Sequence, residues 1–383
     1  MKGNRRRAII IGAGPGGLTA AKALRQAGFV AVCYERASRM GETGSGLTLW
    51  PNAMNALEKI GLREAVESVS FPTTGIRMSC WRGELLFDLP SSKESESRFG
   101  ASGAAVHRAD LMAVLLDALG DEAVKLGARC VGFHQDDEGV RAYFDDGSEI
   151  AGDLLIGADG INSLMRAHLF GDMKLRYAGY TVWRGVANFK LKEDVGVTSM
   201  GRGAQFGFFP MTRNRVYWFA SVNAPEGGED WAVGRKRELM ERFEGWHAPV
   251  ESLIESTDER SILRNDIYDL KPLRSWSVGR ITLLGDAAHP STPTLGQGAC
   301  QAIEDAVVLA ASLREAPEIA SALRGYESRR IQRTSAITMQ SRRMGQMGCW
   351  KNPVLCWLRD KLISSIPAPI RLQQLNGMFR FEM

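Results

Sequence analysis

The sequence is poor in what holds disulfide scaffolds and metal sites together. It has 6 cysteines in 383 residues, none in a Cys-x-x-Cys pair, and its 5 histidines show no ligand spacing with them or with each other. No metal site is therefore expected, and free thiols fit a reducing compartment, so the expected location is cytoplasmic. No apolar run approaches the ~20 residues of a membrane-crossing helix, which excludes a spanning segment. Charge of one sign is also scarce. The formal net charge is +4, the basic residues are dispersed apart from Arg5-Arg6-Arg7, and nucleic-acid binding has no support beyond that short start. The basic start followed by apolar residues imitates a secretory signal, but its hydrophobic part belongs to a glycine motif that must be kept. At 44% hydrophobic the chain can hold two packed domains, and only the polar run Ser91 to Arg98 suggests disorder.

Glycine, by contrast, is abundant at 41 residues, and it falls in patterns. Ala8-Ile9-Ile10-Ile11 reads as a buried parallel strand and Leu18 to Ala27 as an alanine-rich helix. Between them stands Gly12-Ala13-Gly14-Pro15-Gly16-Gly17. In that setting Gly12 permits the tight turn, Gly14 lets backbone approach a pyrophosphate, and Gly17 lets helix and strand pack closely, with the phosphates on the helix N-terminus. A second strand, Val30 to Tyr34, ends in Glu35-Arg36, ~20 residues on, where an acid accepts the two hydroxyls of an adenosine ribose and disfavours a 2′-phosphate. A lone fingerprint also occurs in other α/β turns; Glu35 in register makes this one a dinucleotide site.

Two further segments carry chemistry. Asp153 to Arg166 reads as a strand, a tight turn at Asp159-Gly160, and a helix start. Downstream, Gly279 to Leu284 reads as a strand that delivers Gly285-Asp286-Ala287-Ala288-His289-Pro290. Asp286 can accept hydrogen bonds from a sugar alcohol. After Pro293-Thr294-Leu295-Gly296-Gln297-Gly298, a helix from Ala299 to Leu313 leaves amide donors free at its N-terminus, where they suit negative charge.

Together these segments resemble the single-component FAD-dependent aromatic hydroxylases typified by para-hydroxybenzoate hydroxylase. The resemblance implies an α/β fold in which a Rossmann-like, glutathione-reductase-type FAD-binding domain (1–71, 99–178 and 274–345) is interleaved with an antiparallel-sheet substrate domain (72–98 and 179–273), followed by a C-terminal helical segment (346–383). It implies that Asp286 holds a ribityl hydroxyl and that Pro293, Gly296 and Gly298 pass along the isoalloxazine ring. It places Gly44 to Ala53, Gly46 included, along the flavin, and lets Arg108, in His107-Arg108-Ala109-Asp110-Leu111, reach the cofactor. The expected cofactor-binding set is Gly12, Gly14, Pro15, Gly17, Glu35, Arg36, Gly46, Arg108, Asp159, Asp286, Pro293, Gly296 and Gly298. His289 is tempting as a base, but the family uses its position for packing and hydrogen bonding.

Gln205 to Pro210 and Arg215 to Ala220, separated by Thr212-Arg213-Asn214, read as a hairpin. Alternation puts Gln205, Gly207 and Phe209 on one face of the first strand, and Tyr217 and Phe219 on one face of the next. Taken singly, any of these aromatics would serve equally as sheet core; the family places its substrate sheet here, so Gln205, Phe209, Tyr217, Phe219 and Trp183 are the expected pocket residues. Tyr177 to Gly185 and Trp50-Pro51-Asn52 narrow the resemblance to the branch of salicylate hydroxylase, zeaxanthin epoxidase and FAD-dependent urate hydroxylase. Urate enzymes carry an Arg in the strand where this chain has Gln205, which speaks against urate.

The resemblance implies no protein nucleophile or base: NADPH or NADH reduces FAD, O2 adds at flavin C4a, and the hydroperoxide gives one oxygen to an aromatic or heteroaromatic small molecule, most simply by hydroxylation. A single dinucleotide fingerprint agrees with a nicotinamide bound only in passing. Epoxidation of a lipophilic alkene or quinone-type substrate and flavin-dependent reduction without oxygen insertion remain as alternatives; a halogenase would carry a Trp-x-Trp-x-Ile-Pro element, which is absent. Near the C-terminus Val354, Leu355, Leu358 and Leu362 make one helical stripe, expected to pack on the protein's own body or a second subunit of a homodimer, with a membrane-surface role as the lesser alternative.

Overall fold

In the computed structural model, which describes residues 6–41, 45–73, 75–230, 234–381 and 383, the run Arg7–Ile11 forms a central strand, β1. Arg5 and Gly44 lie outside the described residues. Val30–Glu35 (β2) pairs with β1 in parallel on one side and Leu154–Gly157 (β3) on the other. The six-stranded sheet continues through 124–126 beyond β2, and through 281–283 and 277–278 beyond β3. A parallel sheet is covered on both faces, which is why its strands read as unbroken apolar runs; Ala8, Ile9 and Ile10 are at most 1% exposed.

The helix Pro15–Gln26 (α1) follows β1 with Pro at its start and with Gly14 before it, extended and offering no side-chain cap. Gly12 has φ of 106°, and a Cβ there would stand 2.3 Å from the Ala158 carbonyl oxygen. A Cβ on Gly17 would stand 2.1 Å from the Gly12 carbonyl oxygen. Glycine at both positions is what lets α1 lie down on β1 and β3. Over the same sheet pack the helix Gly298–Glu315 (α2) and the long helix Ile319–Gly348 (α3).

A second, seven-stranded sheet runs in the order 263–269, Arg176–Asn188 (β4), Arg215–Asn223 (β6), Ala204–Met211 (β5), 196–200, 76–80 and 85–88. Its neighbours are antiparallel except 196–200 with 76–80, where chain segments distant in sequence meet in parallel. β5 and β6 form the expected hairpin, and the turn holds Arg213 and Asn214 at positive φ. One face of this sheet is closed by a core of Trp183, Phe206, Phe208 and Trp218 with Leu239, Leu253 and Ile254 from the helices Arg235–Arg242 and Val250–Glu255. Phe206 stacks on Trp218 at 5.5 Å, and the Trp218 indole N–H donates to Thr257 Oγ1 at 2.8 Å, so the ring is buried with its polar group satisfied.

Two expectations fail. The polar run Ser91 to Arg98 is ordered: Ser92–Phe99 is a helix, because Ser91 and Glu94 form a reciprocal capping box. The C-terminal segment is two helices, Pro353–Ser365 (α4) and Ala368–Phe379 (α5), and of the two partners expected for the apolar stripe, the protein's own body is not one, because the stripe faces out. Val354 is 69% exposed, Leu355 44%, Leu358 43% and Leu362 57%. The inward face of α4 is Cys356, Arg359 and Ile363. Arg359 decides the orientation, since the carbonyl oxygens of Gly201 and Met347 accept from its guanidinium at 3.2 and 3.4 Å. The six cysteines are free, and among the described residues no helix is long and apolar enough to cross a membrane.

Candidate active site

The two sheets enclose a cavity of about 1240 Å³ that runs from the glycine loop to the aromatic face of the β5–β6 hairpin. On its first side the wall is largely backbone. Gly14, Pro15 and Gly17 line it at the start of α1, and Gly298, Ala299 and Ala302 at the start of α2. Neither helix has a side-chain cap, so the amide donors of two helix starts are left for a ligand. Space at Gly14 is open, with nothing within 4 Å of a Cβ built there. At Gly16 a Cβ would stand 2.7 Å from Leu284 and 2.9 Å from the Ala302 Cβ, so this glycine brings α1 and α2 together.

Asp286 opens onto the cavity from the loop after 281–283. Its side chain is exposed to the cavity, and the protein walls around it push its carboxyl above the usual carboxylate range, opposed by His289 and the Arg166 guanidinium. Arg166, which sequence reasoning passed over, ties the Asp159-Gly160 turn to this loop by donating to the Ile161 and Ala287 carbonyls at 2.5 and 3.0 Å. Gly160, Ile161 and Asn162 reach the cavity, whereas Asp159 does not. One Asp159 oxygen accepts from the Met165 N–H at 3.2 Å at the start of the helix Leu164–Phe170, and the other is buried without a partner.

Glu35 sits beside the glycine loop rather than on the wall, accepting from the Ala13 and Ala37 N–H groups at 2.9 and 3.0 Å, and Arg36 is exposed. Arg108 lines the cavity; burial lowers its pKa and Glu35 counters this. Pro293 and Gly296 line it too, and the Trp50 indole N–H donates to the Leu295 carbonyl at 3.1 Å to hold their loop.

Beneath this wall lies a charged core. Arg330 bonds both Glu304 and Asp305, the latter at 2.7 Å from Nε, and Arg333 bonds Glu304 at 2.9 Å. The second Asp305 oxygen accepts from the Gly285 N–H at 3.0 Å and meets His289 Nε2 at 2.6 Å. Burial acts to raise the Asp305 carboxyl, but His289 and Arg330 hold it down at about 2. His289 is thus a strut between the Asp286 loop and α2, away from the cavity wall. Asn52 extends the core to the start of α2, donating to Gln297 Oε1 at 3.0 Å.

On its second side the cavity wall is made of side chains. Gln205, Phe209, Tyr217 and Phe219 all reach it, as alternation required, and Phe209 stacks over Tyr217 and Phe219 with centroids 6.4 Å apart in each pair. Gly46 makes room for Tyr217, since a Cβ there would stand 2.4 Å from its ring. Gly348 does the same for Gln205, whose amide nitrogen lies 1.6 Å from where a Cβ would be.

Trp183 does not reach the cavity. It points to the far face, where it is 1% exposed and lies beneath Arg264. Its neighbour Arg184 is the residue that faces inward: β4 pairs Arg184 with Phe219 and Val186 with Tyr217, so it shares their face. Arg184 donates to Asn265 Oδ1 at 3.3 Å, and its positive charge opposes the rise that burial imposes on the Tyr217 hydroxyl pKa. Strand parity puts Arg184 and Trp183 on opposite faces, and the cross-strand register decides which of them meets the cavity. Ile363 and Ile366 of the α4 end, with Leu375 and Met378 of α5, also wall the cavity; no local motif marked them.

Residues 5–341 match the family described as FAD binding domain. The chain belongs to this family. It is 43% identical to the aurachin C monooxygenase/isomerase of Stigmatella aurantiaca, over 93% of each chain, and 36% identical to the FAD-dependent urate hydroxylase of Klebsiella pneumoniae, over 88% of this chain and 89% of that one. The solved structure of Klebsiella pneumoniae HpxO complexed with FAD and uric acid superimposes with a TM-score of 0.91 at 33% identity, covering 98% of this chain and 96% of that one. The protein is an FAD-dependent monooxygenase. Its residues fit FAD: two uncapped helix starts, an open glycine loop and the Asp286 carboxyl all face one cavity.

Proposed function

We propose that this monooxygenase inserts oxygen into a fused heteroaromatic ring that lies against Phe209, Tyr217 and Phe219, and that Arg184 and Gln205 select it by a ring oxygen or nitrogen. The observation that carries the reading is one cavity reaching from the glycine loop to a wall where Arg184 stands among aromatic side chains. Uric acid in the HpxO structure is a fused heteroaromatic of this kind. When bound, FAD would supply the redox chemistry, two electrons from NADPH or NADH reducing O2 so that one oxygen atom enters the substrate and the other leaves as water.

The chain's own task is geometric. Gly14, Gly17 and the α1 start hold the pyrophosphate, with Glu35 bracing their loop through the Ala13 N–H; Asp286 accepts from the ribityl chain; Arg108, Pro293, Gly296 and the α2 start hold the ring and steady negative charge on it. Arg184 and the neutral Gln205 amide orient the substrate, and the apolar wall of Ile363, Ile366, Leu375 and Met378 keeps water out and accommodates an apolar substituent. In this reading 72–98 and 179–273 form the substrate domain, and 1–71, 99–178 and 274–345 the FAD domain.

The test is NADPH and NADH oxidation by the FAD-loaded protein in air against phenols, quinolones and purines, with hydrogen peroxide and product mass followed together. A fused heteroaromatic that accelerates oxidation and gains one oxygen atom is the expected result. Acceleration with peroxide alone for every fused ring, or equal turnover without oxygen, overturns the reading.

A further inference from the structure

α4 and α5 are apolar on two sides. One side walls the cavity through Ile363, Ile366, Leu375 and Met378. The other turns Val354, Leu355, Trp357, Leu358 and Leu362 of α4, with Ile370 of α5, toward solvent, and Trp357 is 61% exposed. A contiguous apolar surface of this kind marks an interaction site. Its thickness is that of one helix, about 10 Å across, so the cavity and the outer face are neighbours.

Charge decides between possible occupants. Lys351 and Lys361 flank the apolar side chains and are exposed, while Asp360, the one acid between 351 and 380, is bound to Arg359 at 2.8 Å. A symmetric pair of copies that set α4 and α5 against themselves would turn lysines toward lysines, with Asp360, already held by Arg359, the one carboxylate on either helix to receive them. An anionic lipid surface offers both an apolar interior for Trp357, Leu358 and Leu362 and phosphates for the two lysines.

We propose that α4 and α5 form a docking face for an anionic phospholipid bilayer, which places the cavity against the membrane and gives an apolar substrate a short path into it. Docking is measured without substrate, so it stands or falls separately from the choice of substrate above.

The experiment is co-sedimentation of the full-length, FAD-loaded protein with vesicles of mixed phosphatidylglycerol and phosphatidylcholine, against phosphatidylcholine alone. At least ten-fold more protein should travel with the anionic vesicles, and added salt should reduce it. The pair Leu358→Glu and Leu362→Glu should lose that binding with FAD content and Tm unchanged. The pair Lys351→Glu and Lys361→Glu keeps the apolar face intact and should lose the preference for anionic lipid. Equal sedimentation with and without vesicles overturns the proposal. So does a concentration-dependent dimer, seen by light scattering, that the leucine pair abolishes while vesicles bind neither form.

Discussion

Along the flavin side of the cavity the chain presents backbone: glycines without side chains to obstruct, two helix starts and one carboxylate. Along the opposite side it presents side chains, taken from alternate positions of β4, β5 and β6. The two walls fail differently. Where that backbone wall packs helix on strand it tolerates no added atom, because a Cβ on Gly17 meets a carbonyl oxygen at 2.1 Å. A wall of side chains tolerates change residue by residue, and what each residue does depends on which face of the sheet it occupies.

Four measurements would sharpen or break that contrast. Gly17→Ala should have the largest effect, separating α1 from β1 and destabilising the fold by about 4 kcal/mol or more, with loss of FAD; a variant that keeps flavin and melts like the wild type would show the backbone wall to be pliable. Trp183→Ala should follow, costing about 3–5 kcal/mol in denaturant melts by emptying the far-face core, while KM for substrate stays put. Arg184→Met, one residue on, should do the reverse: Tm nearly unchanged and kcat/KM down about 10- to 100-fold, the worth of a hydrogen bond to a charged group. Should the two neighbours exchange these behaviours, the parity drawn for β4 is wrong. Asp286→Ala should weaken FAD by a similar 10- to 100-fold, and full flavin occupancy after dialysis would remove Asp286 from the ribityl chain.

The smallest effect is one of pH. Asp305 is held at about 2 against an ordinary 3.8, so its folded pKa lies below its unfolded one. Its stabilising contribution is complete above about pH 4 and is lost as pH falls toward 2, on the order of 2 kcal/mol. Acid titration of the melting temperature of wild type and Asp305→Asn should differ in that window; identical slopes would detach the charged core from the flavin side.

Much of the flavin side was legible because its signals are local. Gly12, Gly14 and Gly17 announce a strand-turn-helix by spacing alone, and Gly285-Asp286 and Pro293 to Gly298 repeat the same logic at a second helix start. Asp159 and Arg36 were less legible. A motif says which turn a residue sits in, but the Asp159 carboxylate is turned toward the helix start at Leu164, and that direction is a matter of packing.

On the substrate side, alternation put Gln205 and Phe209 on one face of β5 and Tyr217 and Phe219 on one face of β6, since neighbouring side chains on a strand must point opposite ways, and the family resemblance turned those faces to the pocket. Alternation could not say which face of β4 met them, so Trp183 was taken for Arg184; that choice is made by the cross-strand register, a relation between segments. The C-terminal stripe shows the same limit at larger scale. Its apolar period is written in the sequence, yet which side of α4 turned inward was settled by carbonyl oxygens of Gly201 and Met347 waiting for Arg359. Local spacing determines what each element is, because its energetics involve neighbours in the chain; which partner it faces depends on contacts that exist only once distant segments have met.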